Sequence, residues 1–253
     1  MRSRRLATAG VALVAALGLG LTGCGNQSGA DDPAANGNAA PATSAPADPR
    51  AALNAAALKL NEQSVRMKIE SSVLKGDGVL DPKTMTAEMT MTAGGGTFGV
   101  RTVGDDSYLK ISGVPGASKN WLHVNTAALS ENSQLSVITK DDPVGANKLV
   151  KSVVDVQKTG EGTYAGTMDY TRTVPNDKDI QALGDKAKAV PFTAKVDAEG
   201  RLTEMTVDTS VLHESLGKMV TTYSDFGTAV KVAKPAAGET EEAPEELIKA
   251  LNG

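Results

Sequence analysis

The chain has 253 residues, with 30 acidic and 26 basic side chains and a formal charge of −4. That balance gives no general attraction for nucleic acid or anionic headgroups, and no basic stripe with interleaved aromatics occurs, so nucleic-acid binding is excluded as a reading. A single cysteine excludes an intrachain disulfide.

Arg2, Arg4 and Arg5 precede an uncharged run from Leu6 to Leu21. The run is about the length of a signal-peptide core and short of the roughly 20 apolar residues of a membrane span. It ends in "LTGC", Leu21 to Cys24, which resembles the lipobox of bacterial lipoproteins. The resemblance implies a signal peptide over 1–23 and a diacylglyceryl group on the Cys24 thiol, with cleavage just before it. One acyl chain holds a protein to a membrane only marginally, whereas two make a stable anchor. The alternative is an ordinary signal peptide, or an uncleaved anchor, with an incidental cysteine. Loss of the leader removes three arginines and no acid, leaving −7.

Residues 24–48 follow as a stretch of Ala, Pro, Gly and small polar residues with no aliphatic or aromatic side chain after the cysteine. Such a segment cannot offset its chain entropy by burial, so it is expected to be a disordered tether. Its reach as a flexible coil is roughly 25–30 Å. The folded domain is expected over 49–236, followed by an acidic, partly helical tail over 237–253 that is expected to be solvated and frayed. No segment after the leader has the length and hydropathy of a membrane span.

Asp48 and Pro49 are an N-cap and a first helical residue, and Ala and Leu recur at helical spacing to Leu60. From Val65 the period becomes two: Val65, Met67, Ile69 and Val73 share a face opposite Arg66, Lys68 and Glu70. "KGDG" at 75–78 reads as a turn. Met85, Ala87, Met89 and Met91 then alternate with Thr and Glu, and a Gly-rich break at 94–96 leads to Phe98 and Val100 on one face. "SYLKIS" and "WLHVN" continue this antiparallel meander. The segment 126–138 reads as a short helix or loop, and Asp142 before Pro143 opens a second helix. Strands return at "SVVDVQKTG" and "TYAGTMDYTRTV". A helix with Ile180 and Leu183 inward follows, then a hairpin turning at "DAEG", and a last strand at "GKMVTTYSDFG". Some eight to ten strands with interspersed helices give an α+β class, a large curved antiparallel sheet with helices against it.

"VTTYSDFGTAVKVAKP", closing the core, and "GDDSYLKI" leading to "NWLHV" resemble the LolA-like lipoproteins of actinobacteria, as does the order of lipobox, tether, helix and meander. The resemblance implies a half-open β-barrel with helices on its concave side and an apolar cavity between them, holding a lipid or glycolipid. The lining expected on that basis is Met67, Ile69, Met85, Met89, Met91, Phe98, Val100 and Trp121. Methionine adapts to irregular contents, and a 3% aromatic content suits acyl chains better than stacked rings. The alternative is that these side chains simply pack against the helices.

No catalytic residue, metal or cofactor is expected. His123 and His213 stand in no metal-ligand spacing, and both read as surface or rim residues. There is no GxSxG elbow and no SxxK motif. "AGGGTFG" lacks the lysine of a phosphate loop, and the acidic run 239–246 lacks the spacing of a calcium loop. The expected function is lipid transport or presentation by a lipoprotein on the outer face of the cell membrane. The alternative is a structural or signalling lipoprotein that touches envelope proteins and carries no lipid.

Overall fold

A computed structural model describes residues 48–129, 142–173 and 178–252. The expected leader, Cys24 and nearly all of the tether lie outside them. Among the described residues no helix is long and apolar enough to cross a membrane.

Helix α1, Pro49–Leu58, forms as its sequence predicts: Asp48 accepts a hydrogen bond from the Arg50 N–H, and Pro49 supplies a helical φ. A 3-10 turn, Lys59–Asn61, extends it. Leu53, Ala56, Ala57 and Leu60 fall on one face at helical spacing and are buried.

The strands are β1 (Val65–Glu70), β2 (Leu74–Asp81), β3 (Thr86–Ala93), β4 (Gly96–Val103), β5 (Asp106–Ser112) and β6 (Trp121–Asn125). After α2 (Ala146–Ser152) come β7 (Val153–Gly160) and β8 (Thr163–Met168). Two short helices, α3 (Lys178–Ala182) and α4 (Asp185–Lys188), precede β9 (Val190–Val196), β10 (Leu202–Asp208) and β11 (Lys218–Ser224). The chain ends in β12 (Thr240–Glu242) and α5 (Glu245–Asn252).

All twelve strands form one open sheet in the order β12-β6-β5-β4-β3-β2-β1-β11-β10-β9-β8-β7. It comprises two antiparallel meanders, β1–β6 and β7–β11, joined where β1 pairs with β11. Only β12 runs parallel to its neighbour. The α+β class and the large antiparallel sheet with helices against it are therefore as expected. Alternate residues of each strand form one apolar face. Directly paired positions share that face, so Ile69 lies in one row with Gly76, Met91, Phe98 and Ile111 in one direction. In the other direction the row continues through Thr221, Met205, Ala194 and Tyr164. α1 packs on this face over the β7–β11 half and joins Met67, Met89, Met205 and Phe192 in one core.

Four expectations are corrected. Residues 75–78 lie inside β2, and the turn comes earlier, at Ser71–Val73, which leaves Val73 exposed. Gly78 serves there as a close approach: a Cβ would come within 2.7 Å of the Glu88 carbonyl and 3.0 Å of the Met89 backbone. Met85 is in the turn before β3, with φ +51°, and does not alternate with the strand. The helix around Ile180 is broken by Gly184, although Ile180 and Leu183 do pack on the core. Finally, residues 240–242 of the acidic tail add a strand to the sheet edge instead of fraying. Most of the 126–138 segment, read as helix or loop, lies outside the described residues.

Candidate functional site

A cavity of about 170 Å³ separates the helical layer from the β8–β11 part of the apolar face. Met168, Met205, Val207, Met219, Thr221 and Tyr223 line it from the sheet. Leu60, Leu149, Tyr170 and Thr173 line it from the helical layer, with the turn at Val144–Ala146. Among the described residues no charged side chain lines it.

Its roof is fixed by one carboxylate. Asp142 accepts from the backbone N–H of Asn147 at 2.8 Å and of Lys148 at 2.9 Å, meeting orphan donors of α2's first turn. Asn61, at the end of the α1 extension, donates its amide to Asp142 at 3.3 Å and accepts from the Val144 N–H at 3.3 Å. Tyr170 lies in a 3-10 turn started by Asp169, whose side chain accepts from the Thr171 N–H. Burial pushes the Tyr170 phenol up and the Tyr223 phenol up to about 12, so both remain protonated donors over the physiological range.

None of the eight side chains expected to line a ligand cavity is among those that line this one. Met67, Ile69, Met89, Met91, Phe98 and Val100 lie on the correct face, since Met67 pairs with Tyr223 and Ile69 with Thr221. They occupy the β1–β4 half, beside the cavity. Met85 is in a turn. Trp121 is on the opposite face, because Leu122, not Trp121, pairs with the inward Leu109. There Trp121 lies against Gly99, with the Arg101 guanidinium 4.8 Å from its ring centroid.

A second polar cluster occupies that opposite face. His123 on β6 is bracketed by Asp106 of β5, 2.8 Å from Nε2, and by Glu242 of β12, 2.8 Å from Nδ1. The other Asp106 oxygen accepts from Lys234 at 2.5 Å. Burial lowers the His123 pKa, but the two carboxylates outweigh it and hold the ring above its ordinary value. Glu241 accepts from Ser118 and Asn120. Together these contacts tie the C-terminal segment to the sheet edge.

Among the described residues no group of His, Cys, Asp and Glu could hold a metal ion. Apart from Leu60, the cavity residues missed in the sequence come from the second half of the chain. Met205, Val207, Met219, Thr221 and Tyr223 do alternate along their strands, so their shared face was readable. Which half of the face the helices leave unfilled depends on packing between distant segments. No protein-family model and no curated protein matches the chain.

Proposed function

We propose that the chain is a lipoprotein anchored at Cys24 whose domain holds the apolar part of an acyl lipid or glycolipid between sheet and helices, for carriage or presentation at the envelope. The observation that carries this reading is the cavity beneath α2 and Tyr170, lined mainly by aliphatic and methionine side chains among the described residues and continuous in sheet register with the methionine-rich face of β1–β4. Apolar burial stabilises a bound chain by about 0.8 kcal/mol per CH₂. The space matches the roughly 150 Å³ of an engineered cavity that binds benzene and is below the roughly 300–1,000 Å³ of common ligand pockets. As it stands, it takes one end of a chain. Holding more requires α2 and the Tyr170 turn to move away from β10 and β11.

The small volume favours a second reading, an envelope lipoprotein acting through protein contacts with no lipid cargo. Leu149→Trp separates the two. Under the first reading the indole fills the space below α2 and abolishes uptake of a fluorescent fatty-acyl probe, while the circular dichroism spectrum is kept. Equal uptake by variant and parent would count against this cavity, and no uptake by the parent would favour the second reading.

A further inference from the structure

The exposed large aliphatic side chains among the described residues are Leu58, Val73, Val114, Val154 and Val211. All but Leu58 lie at one end of the sheet. Glu70 pairs with Lys75, Ala93 with Gly96 and Thr97 with Ser112, so the β1–β2, β3–β4 and β5–β6 connections leave the sheet at the same strand ends. Glu70 also pairs with Val220, and Asp208 with Lys218, which puts the β10–β11 connection and Val211 beside them. Val154 stands near the start of β7, at that end too. Neighbouring connections are two strands apart, about 10 Å, and they touch. The Ser72 hydroxyl donates to the Ser215 carbonyl at 2.7 Å, and a Cβ at Gly96 would lie 3.0 Å from Val114 Cγ2. Val73, Val114 and Val211 thus stand on one continuous rim.

The two ends of the sheet differ in charge. Residues 71–74, 92–97 and 112–118 contain no charged side chain. At the opposite end each hairpin turn carries one: Lys83 between β2 and β3, Asp105 between β4 and β5, Glu161 between β7 and β8, and Glu199 between β9 and β10. A bilayer surface strips water from whatever enters it, which costs little for valine, proline and glycine and much for a carboxylate. α1 fixes the end at which the preceding chain arrives. Arg50 donates to the Val153 carbonyl at 2.8 Å, and Lys59 to the Glu199 carbonyl at 2.6 Å, so α1 starts at the valine-bearing end and finishes at the other. The segment leading from Cys24 therefore joins the domain, at Asp48, on the side of the rim. Isolated exposed valines are ordinary on a protein surface; here a shared rim, missing charge and the entry of the chain coincide. Resting on the Cys24 anchor proposed above but not on a lipid cargo, we propose that this rim docks on the bilayer surface, with Val73, Val114 and Val211 entering the headgroup layer. The anchor makes docking intramolecular, so a shallow contact by a few side chains suffices.

The test uses the full chain, processed in an actinobacterial host and reconstituted into phosphatidylcholine vesicles doped with headgroup-spin-labelled phosphatidylcholine. Trp121, the only tryptophan, opens β6 directly after the connection that carries Val114, and its emission reports contact with the labelled lipid by quenching. The parent is expected to be quenched on the vesicles. The double variant Val73→Asp with Val114→Asp is expected to lose most of that quenching while it still floats with the vesicles and keeps its circular dichroism spectrum. The two side chains are 46% and 44% exposed, so the core is spared. Val73→Asp alone is the second variant, with a partial loss expected. Leu58→Asp, at the opposite end, is expected to leave the quenching unchanged. A parent that floats with the vesicles but shows no quenching overturns the docking and leaves the anchor standing. So does equal quenching of the parent and the double variant; if the double variant also sediments at half the parent's mass, the rim belongs to a second copy of the chain. An equal loss in Leu58→Asp overturns the assignment to this end. A parent that does not float overturns the docking together with the anchored reading.

Discussion

Raising the pH is expected to release the C-terminal segment from the sheet before the rest of the domain opens. Only the doubly protonated imidazole of His123 donates to Asp106 and Glu242 at once. Its native pKa stands above the ordinary 6.5, so its contribution is complete below about pH 6.5 and is lost as pH rises through the native value. Asp106 behaves oppositely. Lys234 first, then His123, hold its pKa below 3.8, so its contribution is present above that value and lost as pH falls through the native one. The attachment is therefore firmest between these limits.

The His123 and Asp106 side chains are 19% and 27% exposed. A hydrogen bond between charged groups contributes about 1.5–3 kcal/mol, reduced here by partial exposure to roughly 1–2. Glu242, 83% exposed, adds at most a few tenths of a kcal/mol, by the measure of other surface pairs at about 0.2–1. The other contacts of the three-residue β12, its backbone ladder to β6 and the bonds that Glu241 accepts from Ser118 and Asn120, do not change between pH 6 and pH 9, so the change in protection reports the His123 pair. Hydrogen exchange at 240–242, corrected for intrinsic rates, is expected to lose protection by roughly 5- to 30-fold between pH 6 and pH 9. Trp121, the chain's one tryptophan, pairs with Thr240 and should report the same transition in its emission. His123→Gln should abolish the pH dependence. Protection at 240–242 that stays constant from pH 6 to pH 9 would refute the reasoning.

Asp142→Ala removes the carboxylate that pairs α2's first N–H groups and should cost about 1–2 kcal/mol in urea unfolding. It should also speed uptake of an acyl probe, because the cavity roof is loosened. Gly166→Ala places a Cβ 1.9 Å from the Asp155 carbonyl oxygen at the β7 bulge, so a backbone shift of about 3 kcal/mol follows. At about 2–4 °C per kcal/mol, its Tm should fall by roughly 6–12 °C. Asn54→Ala should be stabilising, by about 1 kcal/mol in the same denaturation assay. The buried Asn54 Oδ1 has no partner among the described residues, and alanine has the better helix propensity.

Local signals in the sequence were accurate where one residue type does one job. Asp48 and Pro49 began α1, and the "DAEG" hairpin turned where expected, with the Asp197 N–H donating to the Arg201 carbonyl. The glycines at 76 and 78 misled because a turn and a close strand contact call for the same residue, and only the neighbouring strand distinguishes them. Trp121 misled through its size. The alternation of Leu122 and Val124 already assigned the inward positions of that strand, and Val124 is among the most buried side chains. β12 carried no readable signal: three residues in an acidic segment are held by pairing to a strand more than a hundred positions away. The cavity lies beyond sequence reading for a similar reason. α1 and α2 come from segments about ninety residues apart, and their joint fit over β8–β11 decides where space remains.

Native mass spectrometry of the full chain, expressed in an actinobacterial host and paired with lipid analysis of its organic extract, tests lipid carriage most directly. The account predicts a stoichiometric acyl-lipid or glycolipid adduct, in addition to the anchor proposed at Cys24. A chain with no such adduct, and that takes up no added acyl lipid, would contradict it.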